Sequence, residues 1–304
     1  MWATIILEPR GASIRAVRPT SIGLTGSNGV KLHALEWSRD GVPMVFVHGF
    51  ANDAHVWDDI APVIAPHYRV IALDLRGHGD SGRALDGRYD ANTLCDDLEC
   101  ALEDLGIERH VLVGHSLGGR VSMHYAGRHA DRLAGLALVD SAPDFDARGT
   151  TRIVFDAQKG ERTFASIDEY ELVLAHQYPV TPSSTLRRMA RSWLRERSDG
   201  RYELKLDADF LNAHTGLSAE EEERLDAEES KKLWNALEGL SCPVLVVRGA
   251  ASDIFDSETA DRMVEEVLHN GTLEIIAHAG HSVMLDNSEA FERALSRFAL
   301  TDAQ

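Results

Sequence analysis

The sequence predicts an α/β protein with a mostly parallel, doubly wound sheet and an inserted helical segment. Three observations predict this class: short apolar runs, amphipathic helical patterns between them, and a middle section where the alternation stops. The apolar runs lie at 43–47, 69–73, 110–113, 133–139, 243–247 and 272–276. Each run is apolar without interruption, which is typical of strands that are covered on both faces. Their alternation with helices favours right-handed βαβ units and a parallel sheet.

The first part of the chain predicts the edge of this sheet. Residues 12–18 and 30–37 are typical of half-buried strands, so we expect an antiparallel edge there. Further on, residues 91–105 predict a helix, and the segment Thr93-Leu94-Cys95-Asp96 resembles the capping box that begins many helices.

The middle of the chain differs from both flanks, because it contains no Val/Ile-rich run typical of a strand. Ser166 and Ser218 each stand three residues before a glutamate, which predicts two helix starts. From Ser184 onward the apolar residues follow the spacing of an amphipathic helix, and the acidic run 220–223 is interpreted as a solvated helix face. We therefore predict a helical cap at 144–238, inserted into a core of residues 1–143 and 239–304.

The composition limits the partners and the location. The 304 residues include 49 acidic and 31 basic ones, for a net charge of −18. A surface of that charge repels phosphate backbones and anionic lipid, so we expect neither a nucleic-acid nor a membrane partner. The three cysteines form neither an even set nor a CxxC pair, and no secretory signal or membrane-spanning run is found. These features predict a cytoplasmic protein; a homodimer stays open.

The clearest chemical motif is Gly114-His115-Ser116-Leu117-Gly118, which follows the apolar run 110–113 and precedes a helical stretch. A G-x-S-x-G sequence between a strand and a helix predicts a sharp turn that presents the serine hydroxyl as a nucleophile. The alternative is a purely structural turn. A serine at its ordinary pKa needs a base that a carboxylate orients.

Three further motifs stand in fixed order around this one. His48-Gly49-Phe50 follows the run 43–47, Asp74–Ser81 has the form D-x-x-G-x-G-x-S, and Ala279-Gly280-His281-Ser282 follows the last run. Together the four motifs resemble those of the α/β-hydrolase superfamily, and the likeness covers nearly all of residues 30–143 and 239–300. In that family the catalytic residues occur in the order serine, acid, histidine.

The resemblance implies a role for particular residues. His281 is the expected base, and the backbone N–H groups of Phe50 and Leu117 are the expected oxyanion hole. No metal or organic cofactor is implied. The other histidines near the motifs, His48, His115 and His278, are interpreted as structural, and His124 and His129 do not form the HExxH pattern of a zinc site.

Two carboxylates compete as the acid that orients His281. Asp253 follows the run 243–247 and resembles the usual position of the acid, so it is the favoured candidate. Asp140 ends the run 133–139, where some relatives carry the acid instead. Asp256 is a weaker third candidate.

The function predicted from these residues is a serine hydrolase that cleaves a small carboxylic ester or lactone through an acyl-enzyme. Serine at position 116 argues against epoxide hydrolases and haloalkane dehalogenases, whose nucleophile is a carboxylate. A C–C bond hydrolase, a cofactor-free perhydrolase or lyase, and a slow-turnover ligand-sensing protein stay open; Ser282 counts modestly against the first. We further expect the large apolar side chains of the cap to set the acyl-chain preference: Phe164, Tyr170, Tyr178, Leu186, Met189 and Trp193.

Overall fold

One eight-stranded sheet organises the computed structural model, which describes residues 18–84, 86–212 and 218–301. The strands of the described residues are β1 (Thr20–Thr25), β2 (Lys31–Glu36), β3 (Val42–Val47), β4 (Tyr68–Asp74), β5 (His110–His115), β6 (Leu133–Val139), β7 (Thr163–Phe164), β8 (Leu194–Glu196), β9 (Tyr202–Leu204), β10 (Val244–Gly249) and β11 (Gly271–Ile276). The large sheet has the order β1-β2-β4-β3-β5-β6-β10-β11. In this sheet the strands β4, β3, β5, β6, β10 and β11 pair in parallel. At the edge, β1 pairs antiparallel with β2, and β2 pairs antiparallel with β4.

Helices cover both faces of this sheet. All helices of the described residues, including those of the segment between β6 and β10, are α1 (Ala61–Ile64), α2 (Ala91–Asp104), α3 (Leu117–His129), α4 (Ala147–Lys159), α5 (Ile167–Gln177), α6 (Ser183–Trp193), α7 (Ala208–Asn212), α8 (Ala219–Glu238), α9 (Ser257–Arg262), α10 (Val283–Asp286) and α11 (Ser288–Thr301). Shorter 3₁₀ turns occur at Ser27–Gly29, Ala54–Trp57 and Ala130–Arg132, and a π-helical turn at Met263–Val267.

The alternation of side chains along the central strands produces two apolar cores. On β3, Met44 and Phe46 face the core that includes Phe291 of α11, while Val45 and Val47 face the core that includes Leu98 of α2. Because successive side chains of a strand point to opposite faces, an uninterrupted apolar run is what a sheet covered on both sides requires. The predicted fold class is confirmed.

Some elements differ from the prediction. The expected strand 12–18 lies outside the described residues except for Arg18, and the edge strand that pairs with β2 is Thr20–Thr25. Helix α2 begins where predicted, but its cap is Asp90, whose carboxylate accepts a hydrogen bond from the Thr93 N–H at 3.1 Å. None of the helices in the described part of the chain is long and apolar enough to cross a bilayer.

The segment between β6 and β10, residues 144–238, is called the insert below. It contains the helices α4 to α8, and both predicted helix starts are present: Ser166 caps α5, and Ser218 with Glu221 forms a full capping box on α8. The sequence did not predict its small antiparallel sheet, which has the order β7-β9-β8. The division into a core and a cap with the boundaries given above stays a prediction.

Several polar contacts attach the insert to the large sheet and its helices, including one to the turn after β4 and one between α3 and α8. The backbone N–H of Asp207 donates to the carbonyl of Gly77 at 2.7 Å, and the side chains of His124 on α3 and Glu229 on α8 are hydrogen-bonded. Both contacts lie in partly or fully buried surroundings, where polar groups need partners.

Candidate active site

Ser116 lies in the sharp turn between β5 and α3, as the motif predicted. Its backbone has φ 50° and ψ −117°, a strained conformation that non-glycine residues rarely adopt outside functional sites. The glycines beside it permit the close approach of neighbouring backbone. A Cβ at Gly114 would lie 2.5 Å from the carbonyl oxygen of Gly118, and one at Gly118 would collide with the carbonyl oxygens of Val47 and His48. These contacts explain the two glycines of the motif.

Two hydrogen bonds to β6 and the residues after it hold the backbone of the Ser116 turn in place. The Ser116 N–H donates to the carbonyl of Val139 at 3.1 Å, and the hydroxyl of Ser141 donates to the carbonyl of Ser116 at 2.8 Å. Neither of these two bonds uses the serine hydroxyl, which faces the loop that carries His281.

His281 connects Ser116 to a carboxylate. Its Nε2 lies 2.9 Å from the hydroxyl oxygen of Ser116, and its Nδ1 lies 2.7 Å from Oδ2 of Asp140. A carboxylate accepts only, so Nδ1 carries a proton and Nε2 is free to accept the proton of the serine hydroxyl. The three side chains therefore have the relative positions of a nucleophile, a base and an orienting acid.

Asp140 is the last of these three residues and is fully buried at the carboxyl end of β6. Its Oδ1 accepts a hydrogen bond from the Gly249 N–H at 2.9 Å. Its Oδ2 accepts a second one from the hydroxyl of Ser252 at 2.6 Å, in addition to that from His281. These donors provide hydrogen bonds to both oxygens of a carboxyl group that has no contact with solvent.

Asp253, the favoured acid of the sequence, does not contact His281. Its side chain is 52% exposed, and its Oδ2 lies 2.8 Å from Nη2 of Arg152. The turn after β10, closed by a hydrogen bond from the Ser252 N–H to the Gly249 carbonyl, directs Ser252 towards Asp140 and leaves the next residue on the solvent side. The preference for Asp253 is therefore corrected to Asp140. Asp256 instead caps α9.

Of the two residues expected to form the oxyanion hole, Phe50 lines the same cavity as Ser116, and Leu117 directly follows Ser116 in the chain. Phe50 follows β3, and Leu117 is the first residue of α3, where backbone N–H groups have no helical partner. Within the described ranges of the chain, no hydrogen-bond acceptor is recorded for either N–H. Their joint use as an oxyanion hole stays a prediction.

Two buried histidines hold the backbone of the site, as the sequence indicated. His48 Nε2 accepts from the Leu75 N–H at 3.0 Å, and its Nδ1 donates to the Gly49 carbonyl at 2.7 Å. His115 Nε2 donates to the carbonyl of His281 at 2.9 Å. Burial lowers the pKa of both imidazoles, most strongly that of His115, so both are neutral and serve as fixed hydrogen-bonding groups.

The loop that carries His281 is also tied to the insert. One oxygen of Asp286 accepts from the Gly280 N–H at 2.9 Å, and the other accepts from the hydroxyl of Thr181 at 2.6 Å. Thr181 belongs to the insert, so one carboxylate bonds to both parts of the molecule. Neither Asp286 nor Ser252 was identified from the sequence, although Ser252 directly precedes the acid that was favoured.

A cavity of about 820 Å³ opens onto Ser116 and His281. Four of the six apolar residues expected to shape it are part of its wall: Phe164, Tyr170, Tyr178 and Trp193. Leu186 and Met189 are buried in the packing of α6 and are not part of the wall. The insert therefore supplies much of the surface that a substrate at Ser116 would meet.

One group of side chains in the described residues has the spacing of a metal site: His33, Asp74 and Asp80. Asp74 already accepts from the Ala54 N–H, the Asp80 N–H and the His33 ring, at 2.7, 2.9 and 2.7 Å. Its carboxylate thereby fixes the turn that was noted as D-x-x-G-x-G-x-S, and we interpret the group as part of that turn.

Comparison with known proteins agrees with this architecture. The family model for the alpha/beta hydrolase fold matches residues 42–288. An esterase of Mycobacterium tuberculosis, Rv0045c, is 26% identical over 85% of this chain and 83% of that protein. The 2-(acetamidomethylene)succinate hydrolase of Mesorhizobium japonicum is 26% identical over 85% of this chain and 88% of its own length.

A solved structure also supports the alpha/beta hydrolase architecture. The crystal structure of an alpha/beta hydrolase from Novosphingobium aromaticivorans superposes with a TM-score of 0.79 at 28% identity, over 92% of this chain and 98% of that one. Because the family model covers the parallel strands of the sheet, the serine turn and the histidine loop, the chain belongs to the alpha/beta hydrolase family.

Proposed function

We propose that the protein is a serine hydrolase that cleaves a carboxylic ester or lactone through an acyl-enzyme intermediate. The observation that carries the proposal is the continuous hydrogen-bonded chain from Ser116 through His281 to Asp140, at 2.9 and 2.7 Å. The chain opens onto a cavity large enough for a small-molecule substrate. An esterase among the relatives supports the same class of reaction.

In the proposed mechanism, the Ser116 hydroxyl oxygen attacks the substrate carbonyl while its proton moves to Nε2 of His281. Asp140 keeps the imidazole in the Nδ1–H tautomer and stabilises the imidazolium that forms. The N–H groups of Phe50 and Leu117 stabilise the negative charge on the carbonyl oxygen, each contributing about 3 kcal/mol to the transition state.

The same proton then completes the first half of the reaction. His281 transfers it to the leaving alcohol, and the acyl group stays on Ser116. Water then enters, gives a proton to Nε2 of His281 and attacks the acyl carbon. The bond between that carbon and the serine oxygen breaks, His281 returns the proton to Ser116, and the carboxylic acid is released.

A panel of p-nitrophenyl esters and lactones of graded chain length tests this function, with Ser116→Ala as the blank. We expect the wild-type protein to release p-nitrophenol in a burst followed by sustained turnover, and the variant to match the buffer rate. Saturable binding of these compounds without turnover would favour a ligand-sensing protein instead and would contradict the proposal.

The same panel tests the role of the insert in specificity. Tyr178→Ala and Phe164→Ala remove side chains from the cavity wall, so we expect kcat/KM to change unequally between short and long acyl chains. Each lost methylene contact should cost about 1 kcal/mol or more.

Leu186→Ala is the matched control, since Leu186 is buried in the insert outside the wall. This variant should change every chain length by one common factor. Equal factors for folded wall variants as well would assign the chain-length preference to the loops of the sheet.

A further inference from the structure

The charged side chains of the cavity wall are unevenly divided between acidic and basic residues. Six carboxyl groups belong to the wall: Asp53, Asp156, Glu161, Glu169, Asp253 and Asp286. Arg152 and Lys205 are the wall residues with permanent positive charge. His176 is also part of the wall. The described wall therefore has more acidic side chains than permanently basic ones.

The positive charge of Arg152 is already paired. Its Nη2 and Nε lie 2.8 and 3.2 Å from Oδ2 of Asp253, and its Nη1 lies 3.9 Å from Asp156. Arg152 and Asp253 are both half exposed at the rim of the cavity. A substrate carboxylate that approached Arg152 would have to displace Asp253 or share the guanidinium with it.

Lys205 is paired in the same way. Its ammonium nitrogen lies 2.7 Å from Asp80, and its side chain is largely buried. Inside the cavity, Asp53 is buried and hydrogen-bonded to the His55 N–H at 3.0 Å. Burial and the neighbouring Asp74 raise the pKa of Asp53 to about 7, so its charge at neutral pH is partial. Asp286, which bonds to Gly280 and Thr181, adds a further carboxylate.

We propose that this cavity selects uncharged esters and lactones over substrates that carry a carboxylate, and that Asp253 sets part of this selectivity by pairing with Arg152. The inference rests on the proposed function. Its physical basis is that like charges in a cleft lower the local concentration of an anion, and that a cation already in an ion pair offers little compensation. Asp253, which lies at the rim and away from His281, would thereby help to select against substrates that carry a carboxylate.

The test compares ethyl butyrate with monoethyl succinate, which differ in a terminal methyl or carboxylate group. For the wild-type protein at low ionic strength we expect kcat/KM to favour ethyl butyrate by about tenfold. Raising the salt concentration should reduce this ratio, because screening shortens the Debye length from about 30 Å at 0.01 M to about 8 Å at 0.15 M. A preference that came from shape alone would not depend on salt.

The variant Asp253→Asn tests whether the preference for ethyl butyrate depends on the ion pair between Asp253 and Arg152. The variant releases Arg152, so the succinate-to-butyrate ratio of kcat/KM should rise by about three- to fivefold. Asp261→Asn makes the same change of charge on the exposed surface of α9, outside the cavity wall, and should leave the ratio unchanged.

Three results would overturn the inference: equal kcat/KM for the two esters at low salt, a ratio that does not respond to salt, or an Asp253→Asn ratio equal to that of Asp261→Asn. If the wild-type protein hydrolysed neither ester nor any member of the p-nitrophenyl panel, the proposed function itself would fail, and this inference with it.

Discussion

Ser116→Ala is expected to remove nearly all turnover, and His281→Ala is expected to do the same. The double variant should be scarcely worse than either single one, because nucleophile and base act as one unit. In a comparable protease either loss costs on the order of 10⁶ in kcat. The measurement is kcat on the best ester of the panel, together with labelling by a fluorophosphonate probe, which should modify Ser116 alone.

His278→Asn is the matched control for the histidine. His278 lies in the same loop but is exposed, and its φ of 56° is one that asparagine tolerates. This variant should keep most of the activity. Substantial turnover by Ser116→Ala, or probe labelling at another residue, would contradict the assignment of the nucleophile.

Asp140→Asn is expected to reduce kcat by about 10⁴. An asparagine at this position would place an N–H group against Nδ1 of His281 and thereby stabilise the wrong tautomer, as in a protease with the corresponding change. Asp253→Asn should cost far less on an uncharged ester, because Asp253 contacts Arg152 and not His281. The comparison of kcat for the two variants decides between the two acids.

Ser252→Ala provides an intermediate case. It removes one of the donors to Asp140 Oδ2 and leaves the contact with His281 in place, so its loss of kcat should be much smaller than that of Asp140→Asn. Ser252→Thr, which keeps a hydroxyl, should restore part of the loss. A larger effect for Asp253→Asn than for Asp140→Asn would return the acid to the position that the sequence favoured.

The sequence predicts the nucleophile and the base because each stands in a motif with its own geometric requirement. Ser116 needs glycines that allow close backbone contact, and His281 follows the last parallel strand at the edge where such sheets place their sites. The fold class follows from the apolar runs in the same way, since only strands covered on both faces remain apolar throughout.

The acid could not be chosen by pattern, because Asp140 and Asp253 both follow the carboxyl end of a parallel strand. What separates them is local backbone conformation. Asp140 has φ 44°, which turns its side chain towards His281, and the turn at Gly249 brings Ser252 rather than Asp253 inwards. Neither the φ of Asp140 nor the turn at Gly249 can be recognised from the residue types alone.

The small sheet of the insert escaped prediction for a different reason. Strand β7 has two residues, and β8 and β9 have three each. A two-residue period cannot be recognised over so short a segment, and three of the eight residues involved are charged: Arg195, Glu196 and Glu203. Their pairing depends on the arrangement of the helices around them.

The carboxylate of Asp286 joins the loop of His281 to the insert. Movement of the insert away from Ser116 would separate Thr181 from Asp286 and deprive a partly buried charge of one of its two protein donors. The Gly280 N–H, one residue before His281, would then be the remaining protein donor to Asp286. The loop of His281 and the insert therefore share one carboxylate, so a displacement of the insert would alter the hydrogen bonding of the loop that holds His281.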